Sequence, residues 1–140
     1  MSSAGPTPGH LVWRLAMKWR TAVDRALDPL GLTHAQYVVL SSLVALDRPS
    51  QRELADHTGL EPLYVSKLAR SLEAAGFISR TRDTVDTRTV RLALTPHGRT
   101  TVEPAMEVVR SLLDRLLEPL GERTSAFSAE LRALLAVPLD

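Results

Sequence analysis

Between residues 62 and 91 the chain carries Lys67, Arg70, Arg80, Arg82, Arg88 and Arg91 against Glu73, Asp83 and Asp86. Cations spread over such a segment suit contact with a polyanion, above all the backbone of a nucleic acid. A solvated surface of mixed charge accounts for the bias about as well, so the spacing has to decide. The excess is confined to the middle: residues 48–94 carry eight Lys/Arg and six Asp/Glu, residues 95–140 five and seven. Other chemistry has little support. His10, His34, His57 and His97 form no close pair, so their spacing gives no metal site. The absence of cysteine excludes disulfides, thiolate metal sites and thiol redox sensing. No nucleophile–base pairing or glycine-rich phosphate loop occurs, so neither an enzyme nor a cofactor is expected.

The 140 residues fit one domain with room for a core. No apolar stretch approaches about 18 residues, which speaks against a membrane span. MSSAGPTPGH lacks the basic and apolar regions of a secretory signal and reads as a flexible lead over residues 1–8, with a cytoplasmic location the simplest inference. A first helix is predicted from His10 to Asp28, apolar on several sides and therefore in need of cover on several sides, partly from another subunit. Thr33-His34-Ala35-Gln36 and Ser50-Gln51-Arg52-Glu53 are capping boxes that open two more helices, to about Leu46 and to Thr58-Gly59. Glu61-Pro62 starts a fourth, with Leu63, Val65, Leu68, Leu72 and Ala75 facing inward and Gly76 as its stop. Phe77–Arg80 forms a strand, and Val90–Leu94, alternating in polarity, returns antiparallel to it. Thr95-Pro96 opens a long helix to about Glu118 that Pro104 should kink, and Glu122–Val137 is a last amphipathic helix. The fold class is mainly α with a small β-hairpin. A short capped helix, a tight turn at Thr58-Gly59-Leu60 and a longer helix make a helix-turn-helix, whose second helix sits in a DNA major groove, and the hairpin is the wing of a winged helix.

These residues resemble the MarR (multiple antibiotic resistance regulator) family of transcription factors over nearly the whole chain. Leu32-Thr33-x-x-Gln36-Tyr37-x-x-Leu40 is similar to the opening of the family's second helix, and ELADHTGLEPLYVSKLARSLEAAGFISR (53–80) to its helix-turn-helix. Arg82-Asp83-x-x-Asp86-x-Arg88, then Val90-x-Leu92-x-Leu94-Thr95-x-x-Gly98, matches its wing and the start of its fifth helix. The resemblance implies a winged helix-turn-helix lobe over about 33–95 within a single domain, 9–140. N- and C-terminal dimerisation helices, about 9–30 and 96–138, would interleave in a homodimer. It implies a repressor of transcription that binds a pseudo-palindromic operator in double-stranded DNA and is released by a small aromatic, phenolic or anionic effector. The alternatives are a winged helix used for protein–protein contact, or an architectural DNA-binding protein that answers to no ligand.

Pro62, Leu63, Tyr64, Ser66, Lys67 and Arg70 match family positions that face DNA. Ser66 and Lys67 can donate to phosphates or base edges, Lys67 or Arg70 can read guanine O6 and N7, and the ring of Tyr64 can meet a thymine methyl. Tyr64 could instead pack back on Leu60, and Arg70 could pair with Glu73 or Asp56. At the wing the resemblance places Arg88 in the minor groove, where narrow A·T-rich DNA concentrates negative potential. Asp86 is its brace through a charge-assisted bond. Arg80 and Arg82 add phosphate contacts, with Arg91 more doubtful. Candidate effector lining is His10, Trp13, Arg14 and Met17, which share one face of the first helix, with Tyr37 and Ser41 from the second. Trp19 lies about 120° from Trp13 around the helix and faces elsewhere. An aromatic residue in a dimer core explains each of these positions at least as well.

Overall fold

A computed structural model describes residues 5–140; the lead expected over residues 1–8 lies partly outside them. The described chain forms two compact units, one running to Val109 and one formed by Arg110–Asp140.

In the first unit, α1 spans Pro8–Leu27 and begins earlier than its apolar pattern suggests. The Thr7 side chain accepts from the His10 amide at 3.2 Å, and Pro8 takes the first helical position, where its missing N–H costs nothing. A 3-10 turn, Asp28–Leu30, follows, and Gly31 at φ 74° ends it. Helix α2 is His34–Ala45 and α3 Gln51–Thr58; both expected capping boxes are present, with Gln36 and Glu53 reaching back to the Thr33 and Ser50 amides. Helix α4, Pro62–Ala74, ends in a Schellman closure: the Gly76 amide donates to the Glu73 carbonyl at 3.0 Å and the Phe77 amide to that of Leu72 at 2.9 Å. Phe77 therefore belongs to the helix stop, and strand β1 is Ile78–Arg82, where Phe77–Arg80 was expected. Strand β2, Val90–Leu94, pairs with it antiparallel, Ile78 opposite Leu94 and Arg82 opposite Val90. The segment between α2 and α3 adds a short bridge that the sequence did not reveal. Ser50 pairs with Arg91, and the Leu92 amide donates to the Pro49 carbonyl at 2.9 Å.

Leu27, Leu40, Leu54, Leu72, Leu92 and Val102 are fully buried and come from α1, α2, α3, α4, β2 and α5, and Ile78 of β1 is buried with them, so each helix and strand of this unit contributes to the core. Helix α5, Pro96–Leu117, continues as one helix through Pro104, which lies on an exposed side where water can satisfy the carbonyl left without a partner. In the second unit a 3-10 segment, Glu118–Arg123, contains Gly121 at φ 52° and ψ −123°, so α6 starts at Thr124 and not at Glu122. It ends at Leu135, and no residue from 110 to 140 is buried.

Candidate nucleic-acid interface

Helix α3 packs on α4 through a turn fixed by local bonds. Gly59 adopts φ 76° and its amide donates to the Ala55 carbonyl at 2.9 Å. The Thr58 hydroxyl closes the last turn onto the Leu54 carbonyl at 2.8 Å and accepts from the Leu60 amide at 3.2 Å. The chain then re-enters a helix at Pro62 with its register set.

One side of α4 is anchored by Val65, Leu68, Ala69 and Leu72, all buried. The opposite side carries Leu63, Ser66, Lys67 and Arg70, spaced i, i+3, i+4 and i+7 on one face. Leu63, Lys67 and Arg70 are exposed and Ser66 half-exposed, and Arg70 reaches its hydroxyl at 3.5 Å, the outer limit of a hydrogen bond. Glu61 offers no side-chain cap, which leaves the first amides of α4, after Pro62, without one, and uncapped helix amides of this kind suit phosphate. Tyr64 is 42% exposed and shares a cleft with Leu60.

The wing tip is organised by two aspartates. Asp83 accepts from the Asp86 amide at 3.0 Å. Asp86 accepts from the Arg88 amide at 3.1 Å and the Thr89 hydroxyl at 3.1 Å, and reaches Arg88 Nε at 3.4 Å. Asp86 thus closes the turn first and braces the guanidinium second. Arg88 projects from the tip with its side chain 92% exposed. Two further wing arginines are engaged within the protein: Arg80 Nε bonds Glu73 at 3.0 Å and Arg82 donates to the Thr87 carbonyl at 2.9 Å. Glu73, weighed above as a partner for Arg70, is thus held by Arg80.

Arg91 has a task that period-2 patterning does not show. From the face of β2 opposite Leu92 it donates to Glu53 at 2.9 Å, to the Arg48 carbonyl at 3.3 Å and to Asp83 at 3.4 Å. It therefore ties the capped start of α3 to the loop of the wing. Arg48, at φ 47°, is the only non-glycine residue with a left-handed backbone among those described, and it reaches Thr81 of β1 at 3.2 Å. The hint in the sequence was a charged residue at the centre of a strand, which needs counter-charges close by.

Both carboxylates of this strut sit below the usual range. Glu53 is lowered by the Ser50 amide, then the Ser50 hydroxyl and Arg91; Asp83 chiefly by the Asp86 amide, against the opposing effect of burial, and then by Arg91. A group depressed on folding stabilises the native state above its unfolded pKa, and that contribution disappears as pH falls through the folded value. Stability is therefore expected to fall from about pH 4 downwards. Glu53→Gln, neutral at every pH, should flatten that fall in acid titrations followed by circular dichroism; an unchanged slope would deny Glu53 the role.

Among the described residues, a cleft of 630 Å³ is lined by Arg20, Asp24 and Asp28, by Thr33, His34 and Val38 at the start of α2, and by Leu60 and Tyr64. The His34 amide donates to Asp24 at 2.7 Å across it, and burial holds the His34 imidazole below its ordinary pKa. None of His10, Trp13, Arg14, Met17, Tyr37 or Ser41 lines this cleft. The first four are exposed on α1, Trp13 by 63%, while Tyr37 and Ser41 are half-buried on α2. An i, i+3, i+4 pattern finds a shared face, whereas the cleft is made where three separate segments meet.

A capped helix, a glycine turn, a second helix with a polar outer face and a hairpin with a projecting arginine define a winged helix-turn-helix protein. Residues 32–90 match the family model described as MarR family. The HTH-type transcriptional regulator YdcH of Bacillus subtilis (strain 168) is 31% identical over 138 residues, covering 96% of this chain and 93% of that protein. The transcriptional repressor CouR bound to a 23-mer DNA duplex superposes with a TM-score of 0.81 at 30% identity, covering 94% of this chain and 93% of that one. CouR from Rhodococcus jostii RHA1 bound to p-coumaroyl-CoA gives a TM-score of 0.84 at 27% identity over 99% of both chains. The chain belongs to the MarR family and is a DNA-binding transcriptional regulator. No helix of the described residues is long and apolar enough to cross a membrane.

Proposed function

We propose that the protein is a cytoplasmic, homodimeric repressor that binds a pseudo-palindromic operator and leaves it when a small aromatic or phenolic ligand binds. The observation that carries this reading is the exposed face of α4, where Leu63, Ser66, Lys67 and Arg70 stand clear of the core beside uncapped helix amides. Pro62 and Tyr64 flank that face, and the wing supplies Arg88 on the Asp86 turn, with Arg82 behind it and Arg80 at its root.

Dimerisation rests on apolar side chains that stand exposed on α1 and on α6, each taken by itself. On α1, Leu11, Val12, Trp13 and Leu15 are 41–63% exposed. On α6, Leu134 and Leu135 are 65% and 85% exposed. Helices so apolar outside a core need a partner, and a second copy offers the same surfaces. Two copies would set two recognition helices about 34 Å apart, one turn of duplex.

The repressor and effector roles are supported by CouR, which is known bound to DNA and bound to p-coumaroyl-CoA. The cleft gives an effector a place to act. A ring against Tyr64 and Leu60 with an anionic group toward Arg20 would press on the start of α4 and shift the helix that reads DNA.

Selection of bound duplexes from random fragments, followed by affinity measured against salt, tests the reading. Tight, steeply salt-dependent binding to a two-fold related sequence is the expected result. Lys67→Ala should reduce the salt slope by about one for each protomer bound. Binding that is equally weak to all fragments and insensitive to salt would favour a winged helix used for protein contact. Phenolic acids and their thioesters should release the selected duplex, whereas a ligand-independent architectural protein would hold it.

A further inference from the structure

Leu63 is the most exposed leucine of residues 5–109, at 77%, although it lies one residue into a well-formed helix whose other leucines, Leu68 and Leu72, are buried. It contributes nothing to the core. Its neighbours along the exposed face are Ser66, Lys67 and Arg70, and only the exposed Pro62 and Tyr64 beside it add apolar surface, less than the contiguous patch that binds another protein. It is the one large aliphatic side chain exposed on α4 and stands at the head of a polar and basic strip, at the end that a helix-turn-helix directs at base edges.

We infer that Leu63 is a specificity-determining residue that reads the C5-methyl group of a thymine in the major groove. This rests on the DNA-binding reading of α4 above. A leucine side chain has no donor or acceptor, so the methyl is the one base-edge feature of the major groove it can recognise. A cytosine in the same place leaves its amino group facing an apolar chain that cannot accept from it, which disfavours that base. Lys67 and Arg70, one and two turns further along the face, hold the helix to phosphates or a guanine while Leu63 makes the methyl contact.

The test replaces thymines of the selected duplex by uracil, one symmetric pair at a time, which removes the methyl and leaves pairing intact. Wild type should lose about fourfold in affinity per half-site at one pair of positions, the effect of one buried methyl group. Leu63→Ala should fold as wild type, bind less tightly, and be indifferent to uracil at that pair. 5-Methylcytosine there should be bound better than cytosine by wild type and equally by the variant. The proposal is overturned if wild type binds every uracil duplex as tightly as the parent, or if Leu63→Ala keeps the same uracil sensitivity. In both of those cases salt-dependent DNA binding persists. A protein without salt-dependent binding to any duplex would remove the DNA-binding reading itself, and this inference with it.

Discussion

Gly98→Ala is expected to be the most damaging single-methyl change in the protein, lowering stability by about 3 kcal/mol. The reason is the junction between hairpin and α5. The Thr95 amide donates to the Phe77 carbonyl at 3.0 Å, its hydroxyl donates to the Gly76 carbonyl at 2.6 Å, and the same hydroxyl accepts from the Gly98 amide at 3.0 Å. These bonds draw the first turn of α5 onto the backbone at the end of α4. A β-carbon on Gly98 would overlap the carbonyl group of Phe77, which is backbone and cannot rotate away. Relief requires moving α5 or breaking the Thr95 bonds, and α5 contributes the buried Val102 and Ala105 to the core. Helix propensity alone would favour alanine by about 1 kcal/mol, so the prediction opposes the local preference. Urea unfolding should show a lower midpoint for Gly98→Ala, while Gly9→Ala, whose β-carbon would meet only Thr7 Oγ1 at 3.9 Å, should be neutral or stabilising. Equal midpoints for the two variants would mean that the junction yields at no cost.

What could be read from the sequence was what is decided within a few residues. The two capping boxes, the Gly59 turn, Pro62 at a helix start and the alternation of Val90, Leu92 and Leu94 each involve groups in the same turn or strand, and the structure has them. Boundaries shifted where a residue had two possible uses. Phe77 looked like a strand residue because it is aromatic and adjoins Ile78, but its amide is taken by the Leu72 carbonyl in the helix stop. Features made by distant segments stayed hidden. In the sequence Arg91 is the polar position of an alternating strand and a doubtful phosphate contact; only the fold brings Glu53, Asp83 and the Arg48 carbonyl to it. The cleft at Arg20, His34 and Tyr64 has no counterpart in any single helical pattern. The Leu94-Thr95-x-x-Gly98 motif was recognisable as a pattern, but why it needs glycine became clear only with the Phe77 carbonyl in place.

Arg88→Ala should leave folding untouched and weaken operator binding by roughly a hundredfold. The two halves of this prediction have separate causes. Arg88 is 92% exposed and, among the described residues, its side chain meets only Asp86, at 3.4 Å and itself 49% exposed, a pair of the kind that contributes little to stability. Asp86 keeps its other work, accepting from the residue 88 amide and the Thr89 hydroxyl, so the tip stays closed without the arginine side chain. On DNA the same guanidinium would lose its water and meet phosphates or the floor of a minor groove, where a charge-assisted contact is worth about 1.5 kcal/mol. A dimer has two wings, which gives the hundredfold figure, and the salt slope should fall by about two. Arg88→Lys separates charge from shape: it should restore the salt slope but only part of the affinity, because an ammonium lacks the planar fork. Asp86→Ala should behave differently from either, since it releases the turn that aims residue 88 and should reduce affinity even with the arginine in place. Unchanged affinity of Arg88→Ala across several salt concentrations would show that the wing does not touch DNA and leave α4 to account for binding alone.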